Sequence, residues 1–336
     1  MELNNISLSD FTRLADIIFE KERQSLNQAA RNSGLFQVES IPMNSGNTRE
    51  YTEVDLEEYA TVKSQGDQAA RAKVQQGYNK VITSYRVAKD IGITYEMRTQ
   101  NKYPEVVRRL TNLAGLAVNR MDLDLTHRIT FGDAVSYTDQ DGRTIDTSVG
   151  DTLALFSTVH TVKGSATTYR NILAGNPQYS KSALEGMERL VVEETINQFG
   201  QKMVIPFDIL FTTDDPNTIN QVLVDLRSMA ATDAGLNSGV LNPYKAKYKH
   251  VILPRIATTA DGSVDSTKRK YWGLGSSYAS TGHLAIWEEP HLKVPSDLNA
   301  GEEFSTDDWN FGVRAGWGVC VVNGVWVKIS YGTGAA

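Results

Sequence analysis

Apolar residues fall at the three- and four-residue spacing of an amphipathic helix in two segments of the amino-terminal half. The first segment follows Ser7, which forms a capping-box pattern with Asp10. The second runs from Pro104 to about Ile129 and would be roughly 39 Å long at 1.5 Å per residue. Both segments are predicted helices, and the second, as the longest in the chain, can act as a spine.

Alternating apolar and polar residues lie between these two helices and predict strands. The stretch from Val81 to Ile93 alternates clearly, and a long polar stretch from Lys63 to Lys80 separates it from a weaker strand-like segment after residue 48. We therefore predict a long hairpin with a polar tip. An isolated two-stranded ribbon is only marginally stable in water, so this hairpin is expected to need a partner surface.

Helical and strand patterns alternate in the centre of the chain. Ser182 with Glu185 predicts a helix that ends near Phe199, and Asp215-Pro216 predicts the start of another. Strand patterns occur at 208–213, 249–253, 270–274 and 284–287. Together they predict a compact α/β unit over residues 179 to 300.

Turn residues complete the pattern. Asp141-Gly142 predicts a hairpin turn soon after the spine helix. From Phe304 to Tyr331 the pattern is β, and Asn323-Gly324 predicts the turn of a terminal hairpin.

Composition narrows the class of protein. The 336 residues include 34 Lys or Arg and 40 Asp or Glu, which gives a formal net charge of −6. This balance is typical of a globular protein and excludes a disordered polyelectrolyte or a basic nucleic-acid module. The single cysteine, Cys320, excludes a disulfide-built scaffold and favours a reducing compartment. No apolar run is long enough to span a membrane, and the first ten residues lack the pattern of an export signal, so a soluble protein is expected.

No motif predicts a catalytic, cofactor or metal site. Gly273-Leu274-Gly275 lacks the third glycine of a dinucleotide loop and is interpreted as a glycine turn. Cys320 lies mid-strand, where burial would mute a thiol, and the five histidines fall in separate elements. Asp122 and Asp124 lie on different faces of the spine helix and are poor candidates for a carboxylate pair. We therefore predict that the protein is not an enzyme.

Basic residues mark the first helix and the spine helix, and two interpretations stay open. They can attract nucleic-acid phosphate without sequence specificity, or form a solvated face with salt bridges to Glu105, Asp122 and Asp124. The residues concerned are Arg13, Lys21, Arg23, Arg108, Arg109, Arg120 and Arg128.

The order of these parts resembles a known family. An amino-terminal arm, a polar-tipped hairpin, a spine helix, a central α/β unit and a closing β segment are together similar to the α+β Hong Kong 97 fold of tailed-phage major capsid proteins. Leu155–His160 with Asn171-Ile172-Leu173 resembles Mu-like major head subunits, as do the helix from Ser180 and the strand-helix unit at 207–227. Trp309–Arg314 with Gly316 resembles the closing β segment of the family. The resemblance covers nearly the whole chain.

The resemblance implies a division into five parts. Residues 1–44 would be the amino-terminal arm, and 45–100 the extended hairpin, or E-loop, which lies over a neighbouring subunit. Residues 101–178 would be the peripheral domain with the spine helix at 104–129. Residues 179–300 would be the axial domain, and 301–336 the return to the peripheral domain.

The implied function is that of a major capsid protein of a tailed double-stranded DNA bacteriophage or prophage. Copies would assemble into pentamers and hexamers of an icosahedral shell, in the host cytoplasm, and end in the virion. The implied partners are other copies, scaffolding protein, portal, decoration protein and, weakly, packaged DNA, with no membrane. About 44 residues precede the hairpin, which implies a separate scaffolding protein or an already mature form.

Some members of the family join subunits by an isopeptide bond between a hairpin lysine and an asparagine. The candidates here are Lys63, Lys73 and Lys80 with Asn310 or Asn323.

Three alternatives stay open at this point. An encapsulin-type compartment would share the fold and enclose a cargo enzyme instead of a genome. An α/β enzyme would use residues 179–300, although no nucleophile, base and orienting group occur together in a motif there. A minor virion protein such as a decoration subunit would not need the full set of shell elements.

Overall fold

The computed structural model describes residues 8–26, 28–100, 102–229, 242–294 and 308–334. Five α-helices and fourteen β-strands occur within these ranges. The helices are α1 (Leu8–Ser25), α2 (Tyr95–Thr99), α3 (Tyr103–Thr130), α4 (Lys181–Glu194) and α5 (Pro216–Arg227). The strands are β1 (Phe36–Ser40), β2 (Thr48–Leu56), β3 (Val74–Thr83), β4 (Tyr85–Ile93), β5 (Ser136–Thr138), β6 (Thr144–Asp146), β7 (His160–Thr161), β8 (Thr168–Tyr169), β9 (Ile209–Thr212), β10 (Lys249–Ile252), β11 (Trp272–Gly275), β12 (Gly282–Lys293), β13 (Trp309–Cys320) and β14 (Val327–Ser330).

Helix α3 is the predicted spine. Pro104 lies in its first turn, where the missing N–H costs no hydrogen bond. Helix α1 packs along it, and the ring of Phe11 lies 5.0 Å from Trp309 and 5.5 Å from Phe311. The predicted cap of α1, Ser7, lies outside the described residues. The buried stripe of α3 consists of Val106, Leu110, Leu113, Ala117, Met121, Leu125 and Ile129.

Two four-stranded sheets form the body of the molecule. The first has the order β1-β12-β13-β4 and shares one apolar core with α1 and α3. The second has the order β10-β9-β11-β14 and contributes to a separate core with α4 and α5 around Trp272. Strands β2 and β3 pair with each other as a two-stranded sheet; we call residues 48–83 the ribbon and residues 57–73 its tip.

The single strand predicted from Val81 to Ile93 is wrong. Strand β3 ends at Thr83 in the ribbon, and β4 begins at Tyr85 in the first sheet. Between them, the N–H of Ser84 donates to the carbonyl of Asn47 at 2.8 Å. The two-residue period runs across this break unchanged, because each strand alternates in the same way whichever sheet it joins.

The predicted terminal hairpin is also wrong. Strand β13 pairs with β12 and β4, whereas β14 pairs with β11 in the other sheet, so Asn323-Gly324 carries the chain between sheets. Strand β12, predicted within the α/β unit of residues 179–300, belongs to the sheet on α3. A turn signal predicts a change of direction and does not identify the strand that pairs afterwards.

Two local predictions need correction and two are confirmed. Ser180, not Ser182, caps α4, accepting from the N–H of Ala183 at 3.2 Å, and the helix ends at Glu194 instead of Phe199. Asp215 caps α5 as predicted, accepting from the N–H of Thr218 at 3.0 Å. The predicted turn at Asp141-Gly142 joins β5 to β6.

Gly273-Leu274-Gly275 is not a turn, because it forms the buried strand β11. A Cβ at Gly273 would lie 2.2 Å from the carbonyl oxygen of Lys328, and one at Gly275 would lie 2.2 Å from Leu35 Cδ2. The glycines therefore allow neighbouring chain segments to approach closely.

Candidate functional site

The ribbon lies against its own chain through polar contacts. Gly150 permits the approach, since a Cβ there would lie 2.2 Å from Cβ of Tyr78. The contacts are Gln75 Nε2 to the Lys163 carbonyl (2.6 Å), Lys163 Nζ to the Gly77 carbonyl (2.8 Å), Tyr78 Oη to Thr161 Oγ1 (3.1 Å), Lys80 Nζ to Asp146 Oδ2 (2.6 Å) and the Glu58 N–H to Gln201 Oε1 (2.9 Å). The same chain thus provides a surface for one face of the predicted hairpin.

The base of the ribbon is held by Glu39 and aromatic residues. Arg49 forms an ion pair with Glu39 at 2.8 Å, and the hydroxyl of Tyr51 donates to the same carboxylate at 2.6 Å. The ring of Tyr51 stacks on His283 with centroids 4.1 Å apart. These contacts attach the start of β2 to β1 and β12.

Glu53 is the central side chain between ribbon and body. A β-bulge places Gly77 and Tyr78 of β3 opposite it, and the absence of a side chain at Gly77 leaves space for its carboxylate. Gln198 Nε2 donates to Glu53 Oε2 at 2.5 Å, and Asn323 Nδ2 donates to Oε1. Burial raises the pKa of Glu53 to about 7, although both amides favour the ionised form.

The opposite face of the ribbon carries exposed apolar side chains next to its tip. Val54 and Leu56 of β2 are 59% and 58% exposed, and Val74, which pairs with Leu56, is 63% exposed. Tyr59 and Val62 of the tip are exposed as well. Near its tip the ribbon thus turns the carboxylates of Glu53 and Asp55 towards the body and aliphatic side chains towards solvent, whereas a surface strand normally buries its aliphatic face. Clustered exposed apolar residues of this kind mark protein contact surfaces.

The sequence contains the two-residue period of β2 but does not indicate which face is covered. Tyr51, Glu53 and Asp55 occupy one face, and Val54 and Leu56 the other. Hydrophobicity alone would place Val54 and Leu56 inside, so the pattern does not indicate Glu53 or its partner Gln198.

The basic residues of α3 do not share one environment, since two of the four are buried. Arg120 and Arg128 are buried, and Arg120 forms ion pairs with Asp124 at 3.1 Å and with Asp139 at 2.8 Å. Arg109 pairs with Glu105, as the solvated-face interpretation expects. Attraction of nucleic acid by the exposed residues Arg13, Lys21 and Arg108 stays a prediction.

Asp122 and Asp124 have separate partners, in agreement with their predicted placement on different faces. Asp122 accepts from the N–H of Ala30 at 2.8 Å and pairs with Arg255 at 3.0 Å. Asp124 accepts hydrogen bonds from the hydroxyl of Tyr85 and from Trp317 Nε1. Both carboxylates therefore join α3 to other parts of the fold.

The residues that the sequence offered as candidates for catalysis or metal binding are buried or hydrogen-bonded within the fold. Cys320 is buried at the end of β13, and burial raises the pKa of its thiol to about 12. His160 Nδ1 lies 2.9 Å from Asp151 Oδ2, but its Nε2, which would activate a nucleophile, faces the Leu155 carbonyl at 3.2 Å. Within the described ranges, no three His, Cys, Asp or Glu side chains are grouped to hold a metal ion. None of the helices described is long and apolar enough to cross a membrane.

Three of the cross-link candidates, Lys73, Lys80 and Asn323, have partners within the chain. Lys80 is bound to Asp146 and Ser148, and Lys73 lies 3.7 Å from Glu57. Asn323 donates to Glu53, and its Oδ1 accepts from Tyr169 at 2.7 Å. Isopeptide bonds between subunits stay a prediction for Lys63, Lys73 and Lys80 with Asn310 or Asn323.

No family model matches the chain, and no curated protein matches it in sequence. Solved structures do match over most of its length. The capsid structure of the cyanophage P-SCSP1u is 13% identical, with a TM-score of 0.50 over 90% of this chain and 86% of that one.

Two further matches have lower TM-scores. The mature capsid of bacteriophage PhiM1 is 12% identical, with a TM-score of 0.49 over 90% of this chain and 86% of that one. The virus-like particle from Pyrococcus furiosus is 9% identical, with a TM-score of 0.49 over 94% and 97%. The cyanophage match, together with the ribbon and spine helix in the predicted order, shows that this chain has the Hong Kong 97-type α+β fold.

Proposed function

We propose that the chain is the major capsid protein of a tailed double-stranded DNA bacteriophage or prophage, and that it assembles into the pentamers and hexamers of an icosahedral shell. The observation that carries the proposal is the uncovered apolar face of the ribbon, formed by Val54, Leu56 and Val74. In a free chain these exposed apolar side chains contribute no burial to stability, whereas a second copy can cover them and remove them from water. Burial of apolar surface is favourable by roughly 25 cal/mol per Å².

The domain roles follow from this proposal. The ribbon is the E-loop and lies over a neighbouring copy. Helix α3 with the sheet β1-β12-β13-β4 is the peripheral domain, and α4 and α5 with the sheet β10-β9-β11-β14 are the axial domain around the capsomer axis. The boundary at residue 300 is accordingly replaced by a division between sheets, because β12 pairs with β13.

The wider partners belong to the same proposal. Scaffolding protein, portal and decoration protein contact the shell, packaged DNA contacts it weakly and without sequence specificity, and the mature protein resides in the virion after assembly in the bacterial cytoplasm. The role is structural and not enzymatic. The shell contacts are heterologous, since one surface of each copy meets a different surface of the next and the arrangement closes into rings.

The test is negative-stain electron microscopy with analytical ultracentrifugation of the purified chain, alone and with its candidate scaffolding protein. Closed shells, tubes or capsomer rings are expected. A protein that stays a monomer or dimer at high concentration, with scaffolding protein present, would contradict the proposal. It would favour the alternative that the chain is an α/β enzyme. The contents of shells formed in cells separate a phage capsid, which holds DNA, from an encapsulin-type compartment, which holds a protein cargo.

A further inference from the structure

A cavity of ≈160 Å³ lies between the ribbon, the start of β12 and the segment that joins β13 to β14. Thr52, an exposed residue, lies at its edge, so the cavity is open to solvent. A cavity of about 150 Å³ can hold a benzene molecule, so a ligand of about six non-hydrogen atoms fits here. The side chains that line it include Tyr51, Glu53, Thr281, His283, Asn323 and Trp326.

Two polar groups of this lining have no hydrogen-bond partner among the described residues. One is the hydroxyl of Thr281, a residue that is only 1% exposed. The other is Nδ1 of His283. Burial lowers the pKa of His283, so its ring is neutral and Nδ1 can accept a hydrogen bond. Buried polar groups in folded proteins are nearly always paired, so these two atoms indicate the place of a hydrogen-bond donor.

Glu53 gives the cavity a negative charge. Its carboxylate accepts hydrogen bonds from Gln198 and Asn323, which are neutral amides. Among the described residues, no lysine, arginine or histidine forms an ion pair with it. Each carboxylate oxygen has more than one lone pair and can accept a further hydrogen bond. A cation that carries N–H groups would therefore supply both the missing charge and the missing donors.

We propose that this cavity binds a guanidinium group, the charged end of an arginine side chain. A guanidinium is planar, always charged and weakly hydrated, and its N–H donors point in several directions. The acceptors it would meet belong to separate parts of the chain, since Glu53 lies on β2 and His283 on β12. Tyr51 and Trp326 add aromatic rings, which attract cations and on which a guanidinium stacks. A calcium ion fits less well, because it takes about six to eight oxygen ligands and the cavity contains a single carboxylate.

The guanidinium can come from an arginine of a second copy or from a free small molecule. On a second copy, Arg71 in the tip of the ribbon is exposed and provides such a group. Only this choice of source involves the proposed capsid function, since every residue that lines the cavity belongs to one chain.

The experiment is a titration of the unassembled full chain with methylguanidinium chloride, at constant ionic strength and at a pH above 7, where Glu53 is ionised. The indole N–H signals of the tryptophans are followed by NMR, and Trp326→Phe identifies the signal of Trp326. This signal should shift and reach saturation. Tetramethylammonium chloride, which carries the same charge without an N–H donor, should cause no saturable shift. Methylammonium chloride should bind more weakly than methylguanidinium.

Two variants test the residues that bind the cation. Glu53→Gln should weaken methylguanidinium binding about tenfold or more, because it removes a charged hydrogen-bond acceptor. Thr281→Val keeps the shape of the side chain and removes the hydroxyl, so binding should weaken about two- to tenfold. The matched control is Glu50→Gln, because Glu50 is an exposed ribbon carboxylate that accepts from Asn79 Nδ2 at 2.6 Å. This control should bind like wild type.

The absence of a saturable shift would overturn the site, as would equal binding of tetramethylammonium or methylammonium. Unchanged binding in Glu53→Gln and Thr281→Val would also overturn it, and if Glu53→Gln does not fold, Thr281→Val decides. Assembly identifies the source of the guanidinium. If it is Arg71 of a second copy, Arg71→Gln and saturating methylguanidinium should both reduce assembly, whereas a free ligand should leave Arg71→Gln assembling normally. A chain that never assembles but binds methylguanidinium in this way would contradict only the proposed capsid function.

Discussion

The guanidinium of Arg120 lies 2.8 Å from the carboxylate of Asp139, and the two side chains are 6% and 3% exposed. Arg143 reaches the same carboxylate at 2.9 Å, and its guanidinium lies over the ring of Tyr85, 4.0 Å from the centroid. The middle of the spine helix is thereby joined to the β5–β6 hairpin and to β4. A helix surface that resembles a solvated charged face in the sequence is a buried ionic cluster in the fold.

Arg120→Ala should lower the free energy of unfolding by about 3–5 kcal/mol, because it leaves the buried carboxylate of Asp124 without its ion-pair partner and removes one of the two cations at Asp139. Urea denaturation followed by circular dichroism measures this loss. The control is Arg23→Ala, whose pair with Glu20 lies at the partly exposed surface of α1 and should contribute about 0–1 kcal/mol. Equal losses in the two variants would contradict the buried cluster.

Leu113→Asp should prevent soluble folding. Leu113 is fully buried against the core, and a buried unpaired charge costs an amount comparable to the whole stability of a domain, about 5–15 kcal/mol. Leu116, on the same helix and 46% exposed, provides the control, since Leu116→Asp should keep the wild-type spectrum and melting curve. A folded Leu113→Asp protein would mean that this face of α3 does not lie in the core.

Leu56→Asp should leave the subunit folded and stop its assembly. The side chain is exposed in the free chain, so the change costs little stability, but it places a charge in the surface that a second copy must cover. Electron microscopy and sedimentation test assembly, and thermal melting tests folding. Val264→Asp, at an exposed valine far along the chain, is the control and should assemble normally. Shells of normal yield from Leu56→Asp would remove the proposed role of the ribbon face.

Deletion of the tip should have the same effect as Leu56→Asp. Residues 60–71 can be removed without cutting β2 or β3, whereas a deletion of Gln65 to Gln76 would also remove the start of β3. The shortened chain should melt like wild type and assemble poorly in sedimentation. Wild-type assembly would show that the tip is dispensable.

Stability should fall in acid through His127. Its buried ring makes T-shaped contacts with the stacked rings of Phe131 and Tyr137, and burial lowers its pKa to about 4 from 6.5. The unfolded chain therefore binds the proton first, and the stability that neutral His127 contributes above pH 6.5 is lost as the pH falls through 4.

The contribution of His127 to the pH dependence of stability can be measured by comparing the wild type with a variant that lacks the imidazole. Relative to His127→Gln, the wild-type unfolding free energy should fall by at most about 3 kcal/mol between pH 7 and pH 4. The exposed His291 serves as the control, since His291→Asn should follow the wild-type curve. Parallel curves for wild type and His127→Gln would contradict the buried neutral imidazole.

Local patterns in the sequence predicted the elements that depend on neighbours along the chain. The helix spacing from Pro104 to Ile129 identified α3 to within one residue at each end, and Asp215-Pro216 identified the start of α5. Side-chain periodicity and end capping act over a few residues, so they are present in the sequence itself. The order of these elements was also sufficient for the family resemblance.

The tertiary structure alone decided which strands pair and which faces are covered. The alternation of β2 is plain in the sequence, yet Glu53 faces the body and Leu56 faces solvent. The spacing of α3 is equally plain, yet Arg120 is buried because a carboxylate 19 residues later reaches it. Pairing and burial depend on contacts between residues far apart in the chain, and a period of two or 3.6 residues contains no information about those partners.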